Sequence, residues 1–365
     1  MPKSLTNLQR WHMDKPMLIG LGLLALLSML VLYSASAESP RIIAAQSLRL
    51  LLGFGVMLVI AQIQPEKLAR WAPYIFAIGL MLLVLVLIIG AIGKGAQRWI
   101  NLGFTRFQPS EIMKLGLPMM IAWYFSRQSL PPTFKHIVIV GILICVPAGL
   151  VAVQPDLGTA LMIGSSGIFV LFLAGMGWRW IVGLITLLSC SAPLLWTYYM
   201  RDYQKQRILT LFDPTSDPLG TGYHTLQSMI AVGSGGFYGK GWLNGSQAHL
   251  EFLPESSTDF IFAVFAEEFG LIGIMLLFAL YLFVVGRGLL IAVYAQETFT
   301  RLLAGSLSLT FFLYFFVNIG MVTGILPVVG VPLPIISYGG SSIVTLMAGF
   351  GILMSIHTHR KIVHV

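Results

Sequence analysis

Residues 251–268 read Glu251-Phe-Leu-Pro-Glu255-Ser-Ser-Thr-Asp259-Phe-Ile-Phe-Ala-Val-Phe-Ala-Glu267-Glu268, and an uncharged apolar run follows to residue 286. A bilayer core is crossed by about 20 apolar residues, so this run predicts a membrane helix. Five of the chain's fourteen acidic residues fall in the quoted stretch. Carboxylates are expensive beside hydrocarbon, and a cluster at the mouth of a span points to chemistry or transport rather than to solubility. Asp259 is the sharpest candidate, because it stands where the polar segment gives way to the apolar one.

The same pattern recurs outward in both directions. The chain is 57% apolar and 10% charged, against the roughly 25% charged residues of a soluble domain. Ten spans are predicted, at 17–36, 42–63, 71–93, 110–126, 136–153, 158–175, 179–200, 259–286, 302–324 and 337–357. Backbone groups in lipid must be satisfied within the segment, so the spans are helices and the fold is an all-α polytopic membrane protein. It reads as one unit over 1–365, with a long outer loop, 201–258, between the seventh and eighth helices. The first apolar block reads as a retained helix rather than a cleaved signal. Twelve Lys and Arg fall in the end segments and loops on one side, against four in the short loops on the other. That bias places both termini in the cytoplasm. The net charge of +8 is dispersed and suits a membrane, not nucleic acid. Cys145 and Cys190 lie inside apolar runs and read as small buried hydrophobes.

Outer-face polarity therefore carries the functional reading. Asp259 is either a helix cap or a general base. Glu111 and Lys114, three apart at the start of the fourth span, are a local ion pair or a wall of a polar cavity. Asp156, in Gln154-Pro-Asp-Leu-Gly, is turn chemistry or a substrate or metal ligand. Lys94, Arg98, Arg106, Arg201, Lys205 and Arg207 are loop charges or a pyrophosphate site. Residues 325–336, with three prolines and one glycine, form an apolar segment that cannot be a regular helix and is expected to line a cavity. Gly233–Gly241 lacks the residues of a phosphate loop and reads as a flexible outer loop. His357-Thr-His359 reads as tail residues rather than a metal pair. No nucleotide is available outside the membrane, so synthesis there needs a substrate that carries its own activation.

Gly93-Lys-Gly-Ala-Gln-Arg-Trp99, Arg106-Phe-Gln-Pro-Ser-Glu111, Gln154–Thr159, Asp213–Pro218, Gly233–Gly236, Glu251–Glu255, Thr258-Asp259-Phe260, Asn318–Pro334 and Ser337-Tyr-Gly-Gly-Ser341 occur in this order. In this the chain resembles the SEDS (shape, elongation, division and sporulation) family over nearly its whole length, and within it the rod-shape-determining members of Gram-negative bacteria. The resemblance implies a ten-helix peptidoglycan glycosyltransferase of the inner membrane that polymerises lipid II at the periplasmic face and releases undecaprenyl pyrophosphate. It implies Asp259 as the base and inversion at the donor sugar. It makes Glu111, Lys114, Asp156, Glu255, Lys94, Arg98, Trp99, Arg207, Asn318 and Ser341 candidates for the substrate cavity. It further implies a divalent cation, Mg2+ or Mn2+, with Asp259 and Asp156 as candidate ligands, no nucleotide, and a class B penicillin-binding protein as partner. A lipid II flippase and a non-catalytic scaffold are the alternative functions.

Overall fold

Apolar runs interrupted by Pro, Gly and short polar turns fold as helices that close their own backbone hydrogen bonds. The computed structural model describes residues 12–93, 96–101, 106–200, 202–213, 221–246 and 255–359. The helices are α1 (Lys15–Ala35), α2 (Pro40–Ala61), α3 (Pro65–Ile89), α4 (Ser110–Phe125), α5 (Phe134–Val153), α6 (Leu157–Leu173), α7 (Trp178–Leu194, continued by a π-helical turn Leu195–Tyr199), α8 (Asp202–Phe212), α9 (Thr221–Ser234), α10 (Ile261–Val293), α11 (Thr298–Val322) and α12 (Ser341–Thr358). Among the described residues eight helical stretches are long and apolar enough to cross a membrane. The 16-residue α4 and 17-residue α6, which stand where the fourth and sixth spans are expected, are shorter than these eight.

Boundaries differ where charge or proline is tolerated inside a helix. α3 begins at Pro65 rather than 71, because proline suits a first helical turn. α10 runs on to Val293 and takes in Arg287, which forks onto Asp14 at 2.9 and 2.6 Å. α12 begins at Ser341, so 337–340 belong to the broken segment before it. The loop after α3 is a three-stranded antiparallel meander, β1 (Ala91–Gly93), β2 (Ala96–Asn101) and β3 (Arg106–Phe107), pairing Gly93 with Ala96 and Asn101 with Arg106. Within the long loop 201–258, α8 and α9 are helical.

The expected flexible loop at 233–241 is instead built into α10. Gly270 has φ +62° and ψ −163°, which breaks that helix. In an unbroken helix the carbonyls of Glu267 and Glu268 would accept from the amides of Leu271 and Ile272. Here they accept from Lys240 and Gly241 at 3.0 Å each. The freed amides of Leu271 and Ile272 donate to Gly236 and Phe237 at 3.0 and 3.2 Å. The approach is so close that a Cβ on Gly239 would lie 2.1 Å from the Glu268 carbonyl oxygen. Side chains tie the same collar: Lys240 Nζ reaches Glu267 at 2.6 Å, the Ser246 amide donates to Glu267 at 3.0 Å, and Leu243 N and Ser34 Oγ donate to Glu268. Two of the clustered acids thus serve the fold. The core of the bundle is aromatic, with Tyr281 stacked on Phe315 at 4.3 Å and Phe311 edge-on to Phe350 at 5.0 Å.

Candidate functional site

Three helices begin at one polar cavity of about 230 Å³. α4 brings Glu111 and Lys114, α6 brings Asp156 and Thr159, and α12 brings Ser341 and Ser342. Arg98 and Trp99 of β2, Gln108, Tyr314 of α11 and Gly330-Val331-Pro332 complete the wall. Helix N-termini carry the positive end of the peptide dipole, so three of them at one cavity favour an anion.

The charges are held rather than loose. Glu111 and Lys114 form a 2.7 Å ion pair, 6% and 12% exposed, so the local pair and the cavity wall are one and the same. Lys114 also lies 5.3 Å over the Tyr314 ring. Asp156 caps α6 through the Thr159 amide at 3.2 Å. Its other oxygen takes Gln108 at 3.3 Å and Arg98 at 3.4 Å. Arg98 is further fixed by the carbonyls of Pro155 at 2.5 Å and Gln154 at 3.4 Å. Asp156 is therefore a cap and an anchor for one of the cavity's two cations.

Asp259 borders this cavity from behind the broken segment. Its Oδ2 lies 3.5 Å from where a Cβ on Gly330 would stand, and Gly330, at φ +74°, is a wall residue. The helix-cap reading of Asp259 does not hold: α10 starts at Ile261 with Phe260 at its cap. The segment 331–340 is braced against the backbone around Asp259. Asn318, fully buried, donates from Nδ2 to the carbonyls of Asp259 at 2.9 Å and Val331 at 2.7 Å. Two acceptors facing one amide require its NH2 end there. Ser337 Oγ donates to the Thr258 carbonyl at 2.6 Å and accepts from the Leu333 amide at 2.8 Å. Tyr338 N donates to Ser257 O at 2.9 Å, and Tyr281 donates to Pro334 O at 2.6 Å. Irregular backbone at membrane depth persists only when partners of this kind satisfy it.

The sequence-derived candidates thus divide. Arg98, Trp99, Glu111, Lys114, Asp156 and Ser341 meet at the cavity. Asn318 is a buried brace rather than a wall residue. Glu255 is exposed at φ +57°, accepting from Thr258 Oγ1 at 2.7 Å. Arg207 lies on α8, away from the cavity wall. Lys94 and Arg201, and the side chain of Arg106, lie outside the described residues. At the far end, His357 pairs with Asp14 at 3.3 Å and His359 stacks on His12 at 4.0 Å, each with a partner other than a metal. Sequence reading passed over Arg49, whose guanidinium lies 4.1 Å over the Tyr338 ring. A charge in the middle of a predicted span is the signal that would have found it. Among the described residues no three of His, Cys, Asp and Glu gather to hold a metal ion.

Below the polar cavity an apolar crevice of about 50 Å³ continues between α4, α11 and α12, sharing Glu111, Lys114, Tyr314, Pro332 and Ser342 with it. A charged mouth over an apolar slot suits an amphiphile.

Known proteins are similar to this chain in sequence and in fold. The FTSW_RODA_SPOVE family model, described as cell cycle protein, matches residues 14–362. The chain is similar to the peptidoglycan glycosyltransferase MrdB of Escherichia coli K12, with 54% identity over 360 residues, covering 99% of this chain and 97% of that protein. Its fold resembles a chain from a structure described as structural coordination of polymerization and crosslinking by a peptidoglycan synthase complex, with TM-score 0.83, 29% identity, and coverage of 95% of this chain and 99% of that one. The rod shape determining protein RodA of Thermus thermophilus superposes with TM-score 0.72 at 27% identity, over 95% of this chain and 98% of that chain.

Proposed function

This chain belongs to the FtsW, RodA and SpoVE family of cell cycle proteins and is a multi-pass membrane peptidoglycan glycosyltransferase, and from that premise we propose that it polymerises lipid II with Asp259 as general base. The observation that carries the proposal is the carboxylate of Asp259 against Gly330, at the edge of a cavity holding Arg98, Lys114 and three helix N-termini. Asp259 takes the proton of the acceptor sugar's hydroxyl as that oxygen attacks the donor's anomeric carbon. The bond from that carbon to the pyrophosphate oxygen breaks, and undecaprenyl pyrophosphate leaves with the electron pair. One displacement turns an α-linked donor into a β-linked glycan. Arg98, Lys114 and the helix N-termini favour the charge that develops on the leaving group. The crevice beneath receives the first units of the lipid.

A divalent cation would be held here by Asp259. Bound there, it supplies charge neutralisation to the leaving group. Asp156 does not fit as a second ligand, because Arg98, Gln108 and the Thr159 amide occupy its oxygens. The excess of Lys and Arg on the opposite side supports a periplasmic site in the inner membrane. The likeness to a chain of a peptidoglycan synthase complex supports a class B penicillin-binding protein as partner. A flippase needs a polar path to the other face, and the bundle's core is packed with the rings of Tyr281, Phe311, Phe315 and Phe350, which offer no such polarity.

The test is polymerisation of labelled lipid II by the purified protein with its transpeptidase partner, wild type beside Asp259→Asn. Loss of a positioned base costs about 10²–10⁴-fold in rate. Wild-type polymer yield from a folded Asp259→Asn variant would remove Asp259 from the mechanism.

A further inference from the structure

We propose that the N-terminal face of α3 binds the headgroup of an anionic phospholipid, at the end of the molecule remote from the polar cavity. Lys67, Arg70, Trp71 and Tyr74 follow one another at i, i+3, i+4 and i+7, so they share one face of the helix. All four are exposed, Trp71 by 46% and Tyr74 by 70%. The stripe continues through Ile78 and Met81, which are 51% and 62% exposed. It passes from cations to aromatics to aliphatics along the helix. A phospholipid passes from phosphate to glycerol to acyl chain in the same order. From Arg70 to Met81 the helix rises about 16 Å, close to one leaflet of a bilayer core of about 30 Å.

The cations line a shallow, open depression between the end of α2 and α3. It measures about 400 Å³ and is walled by Lys67, Arg70 and Trp71 together with Gln62 and Ile63, which close the end of α2. No carboxylate lines it. The neighbouring acid, Glu66, lines a separate cavity with Gln296, Glu297 and His359. An ammonium and a guanidinium beside an interfacial tryptophan are the groups that recognise a phosphodiester at headgroup depth. Basic pockets at helix ends hold anionic headgroups elsewhere in membrane proteins. The other end of α3 is the one near the polar cavity, where the Leu83 carbonyl accepts from Gln154. The lipid is therefore separate from any substrate of the reaction. Free phosphate shares the headgroup chemistry, but the aromatic and aliphatic continuation of the stripe has no use for it.

Native mass spectrometry of the detergent-purified full chain tests the site. The chain is titrated separately with phosphatidylglycerol, with phosphatidylcholine of the same acyl chains, and with inorganic phosphate. The expected result is preferential binding of phosphatidylglycerol, weakened about thirtyfold in Lys67→Gln/Arg70→Gln, which is two cations at about 1 kcal/mol each. Lys67→Arg should keep the affinity, and Lys67→Gln alone should lower it about fivefold, a result that stands if the double variant does not purify. Equal phosphatidylglycerol binding by wild type and the variants, or equal binding of the two lipids by wild type, overturns the proposal. Inorganic phosphate binding as tightly as phosphatidylglycerol overturns the lipid assignment and leaves a free-anion site.

Discussion

Replacing Asn318 by leucine removes the brace between Asp259 and the broken segment while keeping the side chain's branching and number of heavy atoms. The amide donates to two carbonyls, Asp259 at 2.9 Å and Val331 at 2.7 Å, in a fully buried position. Leucine leaves both without that donor. Each buried acceptor so stranded costs about 1–3 kcal/mol in proteins generally. Inside membranes measured values average nearer 0.6 kcal/mol, because the unfolded reference also finds partners. For two acceptors the sum runs from about 1 kcal/mol at the membrane value to about 6 at the general one, and it falls on one junction rather than on the bundle. Asp259 and Gly330 would then lose their fixed separation, and a misplacement of about 1 Å at a reacting group costs about 10²-fold in rate. Lipid II polymerisation should show kcat lowered about 10- to 100-fold with little change in KM, since the cavity cations are untouched. Thermal unfolding in detergent should show a fall of only a few degrees. Asn318→Asp should be worse than Asn318→Leu, because it sets a buried carboxylate against two carbonyls. Wild-type turnover and stability in Asn318→Leu would refute the reasoning.

Three other outcomes follow from the geometry. Glu111→Gln or Lys114→Met alone leaves a buried charge without its partner and should cost about 3–5 kcal/mol of stability, whereas the double variant should lose much less; a thermal double-mutant cycle reads the difference. Gly239→Ala places a Cβ 2.1 Å from the Glu268 carbonyl oxygen at φ +81°, and should destabilise by about 2–5 kcal/mol and expose the 233–246 loop to protease. Burial opposes the charge of Asp14, but the hydrogen bonds from Arg287 and the Met17 amide overcome it and hold the carboxyl below its ordinary range. A depressed carboxyl pKa stabilises the folded state above the unfolded value, near 3.9, and loses that contribution as pH falls through the folded one. The melting-temperature gap between wild type and Asp14→Asn, measured from pH 7 to pH 3, should hold steady down to about pH 5 and close below about pH 4.

The spans were legible because a bilayer demands long apolar runs, and each run carries its own signal. The cations and carboxylates of the site were legible for the converse reason, as charges placed where hydrocarbon makes them costly. The break in α10 was not: Gly270 stands in an unbroken apolar run without proline, and only the distant loop that inserts there reveals it. Nor could periodicity assign Asn318. Its partner Asp259 lies 59 residues away, and Ser337 meets Thr258 across 79. Local pattern carries no record of such pairings. The clustered acids, read together in sequence, part in space, Glu267 and Glu268 to the collar and Asp259 to the cavity edge.

The brace around Asp259 has a consequence for biogenesis. Its partners on the far side, Val331 and Ser337, are synthesised after α11, just before the last helix, and a membrane protein is inserted from its N-terminus onward. Until that segment has left the ribosome and α12 has seated beside it, the translocon holds a bundle with most of its helices and no finished site. A chain stalled before α12 would be membrane-embedded and inert, so the active geometry comes into being only once the segment after α11 has been made.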